Sequence, residues 1–128
     1  MKKVITSENA PKAIGPYSAA IETENLVFTS GQLGLDPTTG ELVSGGIEAE
    51  THQALKNLRE VLKAAGSDIN LVVKTTVFLK DIREFSLMNS IYAIYFHTEP
   101  PARSAFQVGA LPKNASVEIE AVAIKNII

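Results

Sequence analysis

The segment from residue 71 to residue 80 restricts the possible folds more than any other part of the chain. It is a run of mostly β-branched and apolar residues, which predicts a long strand. Strand side chains alternate, so its apolar residues divide between two faces: Leu71, Val73, Val77 and Leu79 on one, Val72 and Phe78 on the other. A strand covered on one face only would alternate more cleanly between apolar and polar residues. We therefore expect both faces of its sheet to be covered.

The rest of the pattern predicts an α+β domain with the element order β-β-α-β-α-β-β. Strands are expected at residues 17–22, 26–31, 71–80, 102–108 and 117–125. Apolar residues recur at helical spacing over residues 47–65, and Gly66 supplies a stop. A second helix is predicted to open at Asp81 as N-cap, with Glu84 as its capping-box partner. Such a chain would form a mixed sheet with both helices packed on one face.

Two helices of this size leave the other face of the sheet without cover. On the last strand Glu118, Glu120, Val122 and Ile124 share one face, because their positions differ by two. An apolar face with carboxylates at one end suits a subunit interface that carries a polar site at its edge. The alternative is that these residues meet a loop of the same chain.

Composition argues against several classes of function. The chain has 128 residues, which fits a single domain over residues 1–128. Its net charge of −2 and its pI of about 5.7 argue against a dedicated nucleic-acid binder. The lack of cysteine excludes disulfides, cysteine zinc sites and thiol nucleophiles, and two histidines far apart in sequence give a metal site little support. We expect neither a signal peptide nor a membrane span, and hence a cytoplasmic location.

Arg103 is the first candidate for a functional site. It lies in a predicted strand of mostly small and apolar residues, where a guanidinium needs an anionic partner because it stays charged. The planar guanidinium can form two parallel hydrogen bonds with a carboxylate, so one hypothesis is that Arg103 anchors a small carboxylate ligand. The other hypothesis is a salt bridge to Glu118 or Glu120 on a neighbouring strand. The residue pattern leaves both open.

The two carboxylates and an aromatic residue near the first strand are further candidates. Glu118 or Glu120 could hold a water molecule and transfer a proton, or both could be solvated strand carboxylates. Tyr17 could present its hydroxyl to a ligand, or it could pack in a core or an interface.

Polar groups elsewhere have equally divided interpretations. The strand end at Ser30 and Gly31 could cradle a ligand oxygen, or it could form a β-bulge. Asn89, beside the apolar face of the second helix, could bind a ligand or cap a backbone group. His52 and His97 are expected to be surface residues or satisfied polar residues.

Several motifs occur in a characteristic order along almost the whole chain. They are residues 9–11, 14–18, 29–32 and 73–81, and the most specific are residues 101–104, which contain Arg103, followed by residues 111–113 and 117–121. In these motifs the chain resembles the RidA/YjgF family of reactive-intermediate deaminases. The resemblance implies a chorismate-mutase-like subunit that assembles as a homotrimer with three clefts between subunits.

The same resemblance implies a reaction and a set of residue roles. The reaction is hydrolysis of 2-aminoacrylate and 2-aminocrotonate, or their imine tautomers, to 2-keto acids and ammonia, without a metal or organic cofactor. Arg103 would bind the substrate carboxylate and Glu118 would orient the attacking water. The backbone at Gly31 and at Ala105 would contribute polar contacts near the imine. The other residues that line the cleft would be Tyr17, Ser30 and Asn89.

One departure from the family pattern concerns Ala105, which stands where many relatives carry a cysteine, so a thiol-dependent activity is not expected here. Two other functions are weighed against the deaminase. A binding trimer would hold a small carboxylate or a partner protein with little chemistry, and it would need Arg103 but not a water-placing Glu118. A ribonuclease or translation inhibitor would need a basic, aromatic-lined surface, which the acidic composition argues against.

Overall fold

The computed structural model describes residues 1–126 and contains two helices and seven short to medium strands in that range. The elements in chain order are β1 (Lys3–Ile5), β2 (Ala20–Glu22), β3 (Leu26–Thr29), β4 (Gln32–Leu33), α1 (Gly46–Ala64), β5 (Val72–Leu79), α2 (Phe85–Tyr95), β6 (Ala102–Gln107) and β7 (Val117–Ile124). Three 3₁₀ turns lie at Ile69–Leu71, Ile82–Glu84 and Pro112–Asn114. The predicted α+β class is confirmed.

The strands form one mixed sheet in the order β1-β2-β3-β7-β5-β6, and β4 also pairs with β7. Every pair is antiparallel except β5 with β6, which is parallel. A parallel pair needs a crossover connection, and α2 supplies it. β6 is the last strand in this order and is thus an edge strand of the sheet.

Both helices pack on the same face of this sheet, as the sequence predicts. The apolar stripe of α1 and the buried residues of α2 belong to a single core cluster with the inward-facing side chains of β5 and β7. α1 ends where Gly66 adopts a φ of 78°, a left-handed conformation that a glycine tolerates best, so the predicted stop is confirmed. Burial of this cluster is the main stabilising contribution to the domain.

Two strands were not predicted, and β2 and β3 are shorter than predicted. β3 ends at Thr29 and not at residue 31, because its pairing with β7 stops at Phe28 and resumes only at Gln32. β1 and β4 have three and two residues, too few to show a period in the sequence. The predicted strand 17–22 begins only at Ala20, because β2 pairs with β1 and β3 from that residue onward. The observed order therefore has four strands before α1, where two were predicted.

The predicted capping box at Asp81 is wrong. Asp81 does accept a hydrogen bond from the backbone N–H of Arg83, but it caps the 3₁₀ turn Ile82–Glu84, and α2 begins afterwards at Phe85. Its carboxylate also pairs with the Arg83 guanidinium at 2.8 Å. The tighter turn forms because the N–H of Glu84 bonds to the carbonyl of Asp81 three residues back.

A β-bulge reverses the predicted faces at the start of β5. Val72 pairs with Ala123 and Lys74 with Val122, so Val73 is an extra residue in the ladder. Val72 is consequently buried on the helix side, whereas Val73 points to the other face and is 42% exposed. A strict period of two cannot anticipate an inserted residue.

The sheet face opposite the helices is open in the single chain, and we call it the open face. β7 alternates as predicted, with Glu118, Glu120, Val122 and Ile124 on this side. Large apolar side chains from other strands are exposed on the sheet as well: Phe28, Val73 and Phe106. An apolar surface of this kind marks an interaction site in a folded domain.

Candidate functional site

Arg103 lies on β6, and aromatic rings and an amide hold its side chain. The guanidinium donates to Asn89 Oδ1 at 2.7 Å. Its central carbon lies 4.7 Å from the centre of the Tyr92 ring and 5.2 Å from the centre of the Phe85 ring. Tyr92 is held in turn by a hydrogen bond between its hydroxyl and Thr75 Oγ1 at 2.7 Å. These contacts orient the cation without neutralising it.

The hypothesis that Arg103 forms a salt bridge with Glu118 or Glu120 is wrong within one chain. The ion pairs of residues 1–126 join Arg83 to Asp81 and Lys125 to Glu22, and neither involves Arg103. A half-buried guanidinium that keeps its charge and lacks an anionic partner can bind an anionic ligand.

Arg103 and Glu118 lie on opposite faces of the sheet. Arg103 pairs with Thr75, whose side chain is fully buried and bonded to α2. Glu118 pairs with Phe78, which lies on the open face. Paired residues on neighbouring strands share a face, so a single chain cannot direct both groups at the same small ligand.

Glu118 lines a cavity of about 430 Å³ beside the open face. The lining residues are Lys12, Ile14, Tyr17, Ser30, Gly31, Leu33, Leu35, Pro112, Lys113 and Glu118. A Cβ added to Gly31 would lie 1.9 Å from Glu118 Oε2, so only a glycine lets the carboxylate lie against the backbone. The structure thus brings together Tyr17, Ser30, Gly31 and Glu118.

A β-bulge creates the backbone turn at Ser30 and Gly31, in agreement with one of the two interpretations. Phe28 pairs with Val122 and Gln32 with Ile119, which leaves three residues on one strand opposite two on the other. The hydroxyl of Ser30 donates to Ser18 O at 2.6 Å. The bulge therefore ties the segment around Tyr17 to the cavity.

Tyr17 belongs to the cavity wall and not to the core. Its side chain is 52% exposed, and its hydroxyl accepts a long hydrogen bond of 3.3 Å from the backbone N–H of Ile14. The core alternative for Tyr17 is wrong, while a role at an interface stays open.

Asn89 and Ala105 lie on the Arg103 side of the sheet. The Asn89 side chain accepts a hydrogen bond from Arg103 at its Oδ1, and it caps no backbone group within residues 1–126. Ala105 is two residues from Arg103 on the same strand, pairs with Val77 and packs against the core. Since β6 is an edge strand, its outer backbone has no strand partner within residues 1–126. We call Arg103, Asn89 and Ala105 the arginine half-site. The glutamate half-site consists of four residues that line the cavity: Tyr17, Ser30, Gly31 and Glu118.

Sequence reasoning missed the groups that support the arginine half-site. From the sequence, Phe85 and Tyr92 were assigned only to the apolar face of a helix, and Thr75 only to a strand. In the structure the two rings contact the Arg103 guanidinium, and Thr75 holds Tyr92 in place. The predictions for the two histidines are confirmed, because His52 bonds to the Tyr95 hydroxyl and His97 is a surface residue bonded to Thr98.

Glu118 has a perturbed acidity. Partial burial raises the pKa of the Glu118 carboxyl, and the like charge of Glu120 raises it further. A carboxylate with a raised pKa is a stronger base than an ordinary glutamate once it is ionised. It is suited to take a proton from water and to return it within one reaction cycle.

We expect Glu120→Gln to lower the pKa of Glu118, because the substitution removes the neighbouring negative charge and leaves the burial unchanged. Any activity that needs ionised Glu118 would then persist to lower pH. The measurement is the pH dependence of the rate, in which the acid limb should move to lower pH. Glu24→Gln, at an exposed turn, is the matched control and should leave the acid limb in place.

Neither a metal-binding cluster nor a membrane-spanning helix occurs among residues 1–126. Residues 1–126 contain no cluster of three histidine, cysteine, aspartate or glutamate side chains arranged to hold a metal ion. None of the helices in the same range is both long and apolar enough to cross a membrane.

Comparison with known proteins identifies the family. Residues 7–125 match the family described as endoribonuclease L-PSP. The chain is 54% identical over 125 residues to the 2-iminobutanoate/2-iminopropanoate deaminase of Mus musculus, covering 98% of this chain and 93% of the mouse protein.

Solved structures agree with that match. The YjgF gene product of E. coli has a TM-score of 0.92 at 41% identity, covering 97% of this chain and 99% of that chain. E. coli TdcF with bound serine has a TM-score of 0.92 at 36% identity, again covering 97% and 99%. The chain therefore belongs to the endoribonuclease L-PSP family, which is the RidA/YjgF family that its motifs indicate.

Proposed function

We propose that this protein hydrolyses 2-enamine and 2-imine acids to 2-keto acids and ammonia, at sites formed between the subunits of a cytoplasmic homotrimer. The observation that carries the proposal is the arginine half-site. Arg103 is held by one amide and two rings, and no carboxylate of residues 1–126 pairs with it. A substrate carboxylate would supply the missing negative charge through two parallel hydrogen bonds.

The glutamate half-site supports the hydrolytic step. An enamine first takes a proton from solvent at C3 and becomes the iminium ion. Ionised Glu118 then accepts a proton from water as the water oxygen bonds to C2, and the C=N electron pair moves to the nitrogen, which gives a neutral carbinolamine. Glu118 returns this proton to the nitrogen. The hydroxyl proton passes to Glu118 as the C=O bond forms and the C–N bond breaks, and ammonia leaves. Glu118 finally releases the proton to solvent, which replaces the one taken up at C3. The raised pKa of Glu118 suits these transfers.

Placement of the two half-sites on opposite faces supports a site between subunits. Glu118 and Arg103 of one chain point away from each other. Exposed Phe28 and Phe106 and the unpaired edge of β6 offer surface for a second copy. A cyclic assembly would bring the arginine half-site of one subunit to the glutamate half-site of the next.

Relatives support the substrate class. The mouse relative is named for 2-iminobutanoate and 2-iminopropanoate, both of them small 2-imino acids. E. coli TdcF was solved with serine, a small amino acid with the same carboxylate. We propose the same class of ligand for this chain, with Tyr17, Ser30, Gly31, Asn89 and Ala105 as lining residues.

Mixed trimers test the activity and its location together. Arg103→Ala and Glu118→Gln subunits, each inactive alone, are refolded together and assayed for 2-ketobutyrate formation from 2-aminocrotonate that a threonine dehydratase generates. With random mixing, about a quarter of the interfaces receive both intact groups, so about a quarter of the wild-type rate should return. Native mass spectrometry checks that the assemblies are trimers.

Three outcomes would contradict parts of the proposal. Mixed trimers as inactive as their parents, beside active wild type, would place the site within one subunit. Folded wild type that binds 2-ketobutyrate without turnover would favour a carboxylate-binding trimer. A strongly salt-dependent affinity for RNA would favour the ribonuclease alternative.

A further inference from the structure

α1 carries a stripe of polar side chains on its buried side. Glu50, Gln53 and Asn57 are spaced three and four residues apart, so they lie on one face of the helix. Glu50 is 4% exposed and Asn57 is 1% exposed. The deaminase step described above uses none of these groups, so their burial requires another explanation.

Asn57 holds one wall of the glutamate half-site. Its Nδ2 donates to Leu33 O at 3.1 Å and to Leu35 O at 2.9 Å. Gln53 Nε2 donates to Asn57 Oδ1 at 2.9 Å and thereby fixes the orientation of the amide. Leu33 and Leu35 both line the cavity that contains Glu118. The amide therefore holds the backbone on either side of Gly34.

Glu50 holds the second wall, which is paired with the first through Leu33 and Glu118. Its Oε1 accepts a hydrogen bond of 2.7 Å from the backbone N–H of Ser116. Ser116 lies two residues before Glu118, and it follows the turn whose Pro112 and Lys113 line the cavity. The Glu50 carboxylate thus anchors the strand start from which Glu118 projects.

Gly34 brings the wall at residues 33–35 close to α1. A Cβ at this position would lie 2.6 Å from the carbonyl oxygen of Glu50 and 2.7 Å from its Cα, so backbone contacts backbone. The wall at residues 33–35 is consequently held at its centre by packing and on both sides by Asn57.

Burial of such a polar stripe beside apolar positions of the same helix costs folding free energy. A buried carboxylate loses hydration, and the ion pairs of residues 1–126 do not include Glu50. Packing alone would be served by apolar residues of similar size. Departures from local rules of this kind are expected near functional sites.

We propose that Glu50 and Asn57 are positioning residues for the reaction, which hold the two paired walls of the glutamate half-site against α1 and so set the place of the Glu118 carboxylate. The inference rests on the proposed function for its kinetic consequence, but the position of Glu118 can be measured without turnover.

Substitutions in α1 test the inference. Glu50→Met removes the acceptor for Ser116 N–H at similar length, and Glu50→Gln retains an acceptor oxygen. Misplacement of a catalytic group by a fraction of an ångström to one ångström lowers rates steeply, so we expect about a tenfold fall in kcat for Glu50→Met and at most about a twofold fall for Glu50→Gln. The KM should change little, because Arg103 binds the carboxylate from the other half-site.

The matched control is one residue away on the same helix. Thr51 is fully buried, and its Oγ1 has no hydrogen-bond partner among residues 1–126. Thr51→Val should therefore leave kcat unchanged, although it also removes a buried polar atom of α1.

A second readout does not depend on activity. Carbon-13 NMR follows the titration of the Glu118 carboxyl in the full-length assembly, assigned by the signal that Glu118→Gln loses. Displaced walls admit water, so the pKa of Glu118 should fall toward its ordinary value in Glu50→Met and stay in place in Thr51→Val. The charged groups around Glu118 are Glu120, Lys12 and Lys113, and all three remain unchanged.

The outcomes separate the inference from the proposed function. A folded Glu50→Met assembly with wild-type kcat and an unchanged Glu118 titration would overturn the inference. Wild type without deaminase activity would overturn the proposed function, while a shifted titration would still support the positioning role. If Glu50→Met does not fold, the half-buried Gln53 is replaced instead. Gln53→Met frees the buried Asn57 amide and carries the same expectations.

Discussion

Arg103→Ala should abolish nearly all deaminase activity while the protein stays folded and oligomeric. The substitution removes the cation that binds the substrate carboxylate, and loss of one partner of a buried charge pair costs about 2–5 kcal/mol. At about 1.4 kcal/mol per tenfold change, kcat/KM should fall by roughly one and a half to three and a half orders of magnitude. Arg103→Lys should recover only part of this loss, because an ammonium cannot form the bidentate pair. The measurement is 2-ketobutyrate formation from 2-aminocrotonate.

Arg59 offers a matched control for Arg103. It is also half-buried, and its guanidinium lies 5.1 Å from the centre of the Tyr95 ring, much as Arg103 lies over Tyr92. Arg59 belongs to neither half-site, so Arg59→Ala should keep kcat/KM near that of wild type. Equal losses for the two variants would mean that stability, and not carboxylate binding, explains the effect of Arg103→Ala.

Glu118→Gln should lower kcat by roughly two to four orders of magnitude, the usual contribution of a positioned general base. Glutamine occupies almost the same volume in the cavity but cannot accept and return a proton. The KM should change much less than kcat, because Arg103 still binds the carboxylate. Steady-state kinetics at saturating enamine separate the two parameters.

The same variant should be more stable than wild type above the raised pKa of Glu118. Because the pKa of Glu118 is higher in the folded chain than in the unfolded chain, the folded state binds more protons between the two values. Wild-type stability therefore falls as pH rises through this window, whereas glutamine carries no charge to desolvate. The Tm of Glu118→Gln should exceed that of wild type at neutral pH, and the difference should vanish below about pH 4, under the ordinary glutamate pKa.

Thermal unfolding of both proteins across this pH range shows whether Glu118→Gln is more or less stable than wild type. A Glu118→Gln variant that is less stable than wild type at neutral pH would show that the carboxylate makes a favourable contact in the assembly that outweighs its desolvation. Activity that survives in this variant would instead show that another group activates the water.

Long, locally determined elements could be predicted from the sequence. α1 spans Gly46–Ala64 against a prediction of 47–65, because an amphipathic stripe of this length has a clear period and a glycine stop. β5 and β7 were likewise located to within a residue at each end. β1 and β4 escaped prediction because two or three residues form a strand only when a neighbour pairs with them.

For the candidate site residues too, local chemistry could be predicted from the sequence, whereas contacts between strands could not. The residue type and setting of Arg103 pointed to a charged group in need of an anion, which is a local property of a small, apolar strand. The sequence could not show which anion pairs with this charge, because Glu118 and Glu120 were both possible partners until the strand pairing was known. The parallel pairing of β5 with β6 and the antiparallel pairing of β5 with β7 turn Arg103 and Glu118 to opposite faces.

The sequence by itself determined the class of the fold, the long elements, the apolar open face and Arg103 as a candidate, because periodicity and residue chemistry are carried by neighbouring positions. The choice of Glu118 over Glu120 came from the resemblance to the RidA/YjgF family. Only the tertiary structure decided which groups meet: Tyr92 and Phe85 around Arg103, Gly31 against Glu118, and α1 against the cavity walls. Each of these contacts joins residues far apart in the chain. Their geometry depends on strand register and on two bulges, in which a single inserted residue reverses every face that follows.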